Sequence, residues 1–439
     1  MADIDPDLDS DPGLSGLLNE EVDWRFLGAP TSGSVRVADL GAQGWSLLDG
    51  DLMLPCAVLK RDMIEHNRRW MRAFLKATGT KISPHGKTTM APQLFERQLA
   101  DGAWGMTAAT PAHVRIYSHF GVERILLANQ LVGKRNIAEV FALLRALPEL
   151  DFYALVDSVE GVEMLASMVG RHPIGRPLQL LVECGLAGGR TGARSAKEAF
   201  AVARAVAASD GLALRGVEGF EGAIRGSRTD APVDKVESLM ELMLEVGAVA
   251  KDEGWFAPGK PLLTAGGSAF FDIVAKILAG DTAPKGFEVV LRAGCYISHD
   301  SGFYTDLLAE MAGRSGPILP HGTLQPALEV WAAVQSLPEP GLAILTLGKR
   351  DAPFDVRLPQ PVAQFRAGMT RPQATPKAWA VDRLDDQHCY MKIDEGADLR
   401  LGDLVGFGVS HPCGAFDRWP LLFEVDRHYN VVGGIRTYF

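Results

Sequence analysis

Short apolar runs alternate with longer amphipathic stretches over most of the chain. From about Leu54 the runs read PCAVLKR, TKISPHGK, GMTAAT, RILLANQ, FYALVD, LQLLVECG, LRGVEGF, PLLTAGGS and FEVVLRAGCY, separated by stretches such as DMIEHNRRWMRAFLKATG. Strand followed by helix, repeated about eight or nine times, predicts a parallel sheet covered by helices. Closed on itself, such a sheet is a (β/α)8 TIM-like barrel; left open, it is a doubly wound sheet, the lesser alternative. After roughly Tyr304 the texture changes to HGTLQPALEVWAAVQSLPEPGLAILTLGKRD, Pro-rich loops, CYMKID, LVGFGVS and VVGGIRTYF. These short β-type runs broken by Gly and Pro predict a mainly antiparallel β domain. The expected division is an N-terminal extension over 1–50, a barrel over 51–304 and a β domain over 305–439. SVRVADL and WSLLDG of the extension are candidates to add strands to that last domain.

Composition narrows the function classes. A chain of 439 residues exceeds what one core usually fills, which agrees with two domains. With 44 basic against 54 acidic side chains the net charge is −10, and no Lys/Arg block offers a footprint for nucleic acid. MADIDPDLDSDPGLSG lacks the basic and apolar regions of a secretory signal, and no run reads as a membrane span, so a cytoplasmic protein is expected. The five cysteines are unclustered, a poor disulfide framework. The alternating Asp3, Asp5, Asp7, Asp9 and Asp11 do not form a calcium loop, because Leu8 and Leu14 stand where Gly and Glu are required; a solvated tail is expected.

Five segments carry candidate chemistry. In KISPHGKTTMAPQ a strand ends in a turn that places Lys87 at the carboxyl end of an early barrel strand, where barrel active sites lie. An amine desolvated there could attack an aldehyde; an ordinary surface lysine is the plainer alternative. In LLTAGGSAFFDIVAKIL, Gly266 and Gly267 allow close backbone approach and Ser268 stands at the expected N-cap, a phosphate-binding arrangement if the glycines are not merely there for tight packing. Gly294, Cys295 and Tyr296 form a second turn that could close the phosphate cup, or simply the corner into the β domain. In ECGLAGGRTGARS, Arg190 between glycines could lie against a flat ligand and face a pyridine nitrogen, or be exposed. In VSHPCGAFDRW, an extended backbone would turn His411 and Cys413 the same way and let them share one ion, Zn²⁺ by ligand softness, in an open catalytic site. A buried Cys beside a hydrogen-bonded His is the alternative. His85, His299, His321 and His388 have no partner spacing of this kind.

With these residues in view, the chain resembles the D-serine dehydratase and D-threonine aldolase family of fold type III, alanine-racemase-like enzymes dependent on pyridoxal 5'-phosphate. The matching pieces are PCAVLKRDMIEHN, PHGKT, LLANQ, TAGGS, LRAGCY and HPCGAFD, in order over most of residues 50–439. The resemblance implies that Lys87 is the Schiff-base lysine, that Ser268 with the turns at Gly267 and Cys295 binds phosphate, and that His411 and Cys413 hold zinc. Aldolases of the family typically have Asp where Cys413 stands and often His where Thr89 stands. The implied reaction is dehydration and deamination of a D-configured β-hydroxy amino acid to a 2-keto acid and ammonia. Retro-aldol cleavage to glycine and an aldehyde is the alternative, and a non-catalytic carrier of the cofactor is a reading of another class. Resemblance also implies a homodimer.

Overall fold

The computed structural model describes residues 13–30, 32–224 and 231–439; the alternating aspartates of the expected tail lie outside the described residues. Eight parallel strands follow one another around a ring: Lys81–Ile82, Met106–Ala108, Arg124–Gln130, Asp151–Val156, Leu178–Cys184, Leu212–Gly219, Leu262–Ala265 and Glu288–Leu291. The last pairs back onto the first, with Val290 opposite Lys81 and Leu291 opposite Ile82. The ring shuts through a single bridge between His85 and Thr107, helped by the Thr107 N–H donating to Pro84 O at 2.9 Å. Lys81–Ile82 stays short because Pro84 has no N–H to give a ladder. The (β/α)8 barrel expected from the alternation is therefore the observed fold, and the open sheet is not.

Alternation of side chains along each strand divides the barrel into two apolar compartments. Leu126, Tyr153, Leu155, Leu181, Leu262 and Val290 meet in the interior with Trp104. Their neighbours Ile125, Leu127, Ala154, Leu180, Val182 and Leu291 face outward into the main core beneath the helices. Helix starts follow local chemistry: Thr110, Ser158 and Ser195 each accept an N–H of the first turn, and Pro92 and Pro111 occupy first-turn positions where no donor is needed.

One run of the alternation belongs elsewhere. Cys56–Lys60, read as the first barrel strand, pairs antiparallel with Leu328–Glu339 and parallel with Leu421–Val425. The run is apolar on both faces, with Val58 packed beside Trp331 and Phe423 and Leu59 in the main core, so its pattern suits either sheet. The other eight runs are the eight barrel strands. Helix Arg61–Thr78 then carries the chain into the barrel, and helix Phe303–Ser315 carries it out to the second sheet. There Leu328–Glu339 lies at the centre, bonded antiparallel to Leu404–Gly408 and Leu342–Leu345. Of the two early segments expected to add strands, SVRVADL gives only Val35–Arg36, paired with Glu21–Val22, and then a 3-10 helix. WSLLDG gives one bridge, Ser46 with Asn430. Among the described residues no helix is long and apolar enough to cross a membrane.

The sheet is bolted to the helical layer through Glu424, which is 2% exposed. Arg61 Nη2 donates to its Oε2 at 2.7 Å and Arg97 Nη2 at 3.0 Å. Burial alone would push this carboxyl up, but the bonds and charges of Arg97 and Arg61 outweigh it and hold it below the ordinary glutamate range. A depressed pKa contributes stability above the unfolded value that is lost as pH falls through the folded one. We therefore expect Glu424→Gln to cost about 3–5 kcal/mol near neutral pH, by urea unfolding, and to flatten the loss of stability seen on acidification below pH ~4.5.

Candidate active site

The carboxyl ends of the barrel strands carry a polar layer above the apolar interior. Lys87 sits in the 3-10 turn Gly86–Thr88, directly after the closing bridge of the ring, exposed while Gly86, Thr88 and Thr89 are buried. Only glycine fits at position 86, since a Cβ there would lie 2.5 Å from Tyr117 Oη and 3.1 Å from Phe95. Two imidazoles stand close enough to feel the Lys87 charge. Burial, then Lys87, Arg292 and His113, holds His85 well below the usual imidazole range, and burial followed by Lys87 lowers His113. Both are neutral near pH 7. His85 Nδ1 is buried without a hydrogen-bond partner among the described residues, whereas His113 Nδ1 accepts the Ala109 N–H at 3.3 Å.

Thr88 joins segments far apart in the chain. Its Oγ1 is 3.7 Å from Cys295 Sγ and 3.5 Å from Cys413 Sγ, and the two sulfurs are 3.8 Å apart. Hydrogen bonding from Cys413, with further help from Thr88, Tyr304 and Ser268, outweighs burial and lowers Cys295 to about 6, while the bond to Cys295 and burial raise Cys413 well above the thiol range. The Cys295 N–H donates to Ser268 Oγ at 3.4 Å, so Ser268, Cys295, Cys413 and the Lys87 turn form one cluster.

Several expectations need correction. Ser268 is not an N-cap: helix Phe271–Leu278 begins later, with Phe270 in that position. The N–H groups of Gly266 and Gly267 are not free for phosphate. They donate to Glu221 Oε2 and Oε1 at 3.0 and 2.6 Å, an internal carboxylate standing where an anion was expected. Anion capacity at this turn falls to Ser268 and the backbone beyond it. Tyr296 is buried in the main core and lines one small cavity with Ser268 and Cys295, and Gly294 packs so closely that a Cβ would meet His85 O at 2.4 Å. His411 and Cys413 do not lie on an extended segment, because Pro412 is helical and Cys413 opens the short helix Cys413–Phe416. The alternation rule fails there. Cys413 turns to Cys295, while His411 Nδ1 lies 2.6 Å from Asp355 Oδ2, leaving Nε2 free of that bond. Among the described residues no three His, Cys, Asp or Glu side chains form a ready cation cage.

Arg190 is exposed on its glycine-rich loop, its guanidinium 4.7 Å from the centre of the Phe220 ring, at a cleft lined also by Glu183, Gly185 and Thr191. Charged residues that the pattern did not single out lie beneath this mouth. Arg292, 3% exposed, pairs with Glu218 and donates to Thr264 O at 3.0 Å and Gly219 O at 2.9 Å. Burial raises Glu218 to about 8 against the pull of Arg292, and its Oε2 has no other partner among the described residues. Glu183 accepts the Thr191 hydroxyl at 2.6 Å and a bond from Gln130. The available signal was a charge ending an otherwise apolar strand run, in LQLLVEC, LRGVEG and FEVVLR.

Comparison with known proteins accords with this arrangement. Residues 327–425 match the family described as "Putative serine dehydratase domain". A 3-hydroxy-D-aspartate aldolase of Paracoccus denitrificans is 24% identical over 322 residues, 71% of this chain and 76% of its own length. The D-threonine aldolase of Filomicrobium marinum superposes with a TM-score of 0.72 at 21% identity, over 90% of this chain and 97% of that one. The D-threo-3-hydroxyaspartate dehydratase of Delftia sp. HT23 does so with a TM-score of 0.70 at 19% identity, over 90% and 99%. The same dehydratase has been solved as a cysteine-to-alanine mutant in a metal-free form, and alanine racemase shares the architecture. By motif order, matched domain and fold together, the chain is similar to the D-serine dehydratase and D-threonine aldolase family and has the alanine-racemase-like fold.

Proposed function

We propose that the protein is a pyridoxal phosphate- and metal-dependent lyase of D-configured β-hydroxy amino acids, acting by dehydration and deamination to a 2-keto acid and ammonia. The carrying observation is the Thr88 contact: it sets a thiol from the HPC segment 3.5 Å from the residue that follows Lys87. An amine suited to holding the cofactor thus lies near enough to a sulfur suited to holding a metal for its charge to act on that thiol. The donor set fits both groups. Lys87 is exposed at the strand end, Ser268 offers a hydroxyl nearby, and Cys413 with the His411 imidazole is a soft pair suited to zinc. When bound, the cofactor supplies an electron sink for charge at Cα, and the metal a Lewis acid for the β-hydroxyl.

The protein's own groups do the rest. Lys87 Nζ holds the cofactor and then carries the Cα proton, with His85 and His113 as uncharged neighbours. Arg190, on its loop over Phe220, is placed to lie along a flat ring entering the mouth. The buried Arg292–Glu218 pair sets the floor of the site. Asp355 orients His411 by accepting a hydrogen bond from Nδ1–H, the arrangement that fixes the tautomer of a metal-binding histidine. We expect Asp355→Ala to weaken zinc binding about 10–100-fold in a chelator competition, with the fold unchanged by circular dichroism.

Incubation with D-serine, D-threonine and D-threo-3-hydroxyaspartate, assaying keto acid and ammonia against glycine, tests the reading. Keto acid that disappears with EDTA and returns with Zn²⁺ supports it, and glycine as the sole product overturns it in favour of retro-aldol cleavage. That second reading is favoured by the aldolases among the similar proteins. A cofactor carrier would show no turnover and no response to the chelator.

A further inference from the structure

We infer that Cys295 is a second thiolate donor to the metal, so that the site is built on a sulfur pair, Cys295 and Cys413. The inference rests on the metal-dependent reading above and extends it to a residue first expected to act through its backbone N–H. Two sulfurs bound at about 2.3 Å to one tetrahedral zinc are separated by about 3.8 Å. That is the Sγ–Sγ distance observed here. The two thiols come from different sheets, Cys295 from the turn after the last barrel strand and Cys413 from the loop after Leu404–Gly408. Each is also held at Thr88 Oγ1, so neither is a stray surface thiol.

Cys295 is a fixed donor. Its N–H is tied to Ser268 Oγ, and the preceding Gly294 is pressed against His85 O. On the other side, His411 has Nδ1 engaged by Asp355 and can offer only Nε2. Two thiolates leave a tetrahedral ion positions for further donors, a substrate hydroxyl among them. The two negative charges also make the ion a milder Lewis acid and select Zn²⁺ or Cd²⁺ over oxygen-seeking Mg²⁺ or Mn²⁺.

The test is metal spectroscopy on the purified full-length protein. Loaded with Co²⁺, the wild type should show a strong near-ultraviolet sulfur-to-metal band, with about half the intensity in Cys295→Ser, about half in Cys413→Ser and none in the double variant. X-ray absorption at the cadmium edge of the Cd²⁺-loaded wild type should count two sulfurs, and needs no substitution that could disturb folding. One sulfur, with a full-strength band in Cys295→Ser, would overturn the role of Cys295 and leave the metal reading standing. No sulfur at all would overturn both.

Discussion

Lys87→Ala protein is expected to purify colourless and to stay so in excess pyridoxal phosphate, while the wild type turns yellow. Borohydride should fix the vitamer covalently to the wild type alone. Turnover should fall at least roughly 10³-fold, since one substitution removes both the anchoring amine and the proton carrier. Gly86 and the closing bridge of the barrel lie beside this residue, but Lys87 itself is exposed, so the fold should tolerate the change. Unchanged melting by circular dichroism with persistent yellow colour would assign the cofactor to another lysine.

The second large effect concerns stability. Arg292→Met leaves Glu218 buried at 1% exposure without its cation, and we expect a loss in urea unfolding of under about 1 kcal/mol at pH 8 that grows by up to about 1.4 kcal/mol per pH unit above it. Adding Glu218→Gln should restore most of it, because no bare charge then remains. The sign of the pH dependence follows from the raised carboxyl. Glu218 is lifted by burial to about 8, so the stability it contributes is present below the unfolded glutamate value and lost as pH rises through the folded one. Removing the Arg292 charge raises it further. The single variant should therefore approach the wild type near pH 5 and fall furthest behind it above pH 8. A penalty independent of pH would mean that Arg292 acts through packing rather than charge.

The sequence discloses most of the barrel because its strands depend on local alternation, and eight of the nine apolar runs are barrel strands. The ninth, Cys56–Lys60, is apolar on both faces and is claimed by a partner strand much later in the chain, which periodicity does not reveal. The site divides along the same line. Lys87 and Cys413 could be proposed from their own segments, but their meeting at Thr88 is a matter of fold alone. The carboxylate that satisfies the Gly266 and Gly267 N–H groups comes from Glu221, on a neighbouring strand's loop, and the TAGGS segment carries no sign of it. The facing of His411 and Cys413 differs from simple alternation for a local reason: the backbone at Pro412 is helical where alternation requires it extended.

The pairing of Cys56–Lys60 with Leu328–Glu339 and Leu421–Val425 also orders events during synthesis. The eight barrel strands, with Lys87 among them, all emerge from the ribosome before either partner of that early strand. Until residues 421–425 appear it has one unclaimed edge, and the loop bearing Cys413 is still arriving. A nascent barrel could therefore hold a cofactor before it could hold a metal, and the cell would have to shield an apolar β edge for as long as translation of the intervening stretch lasts.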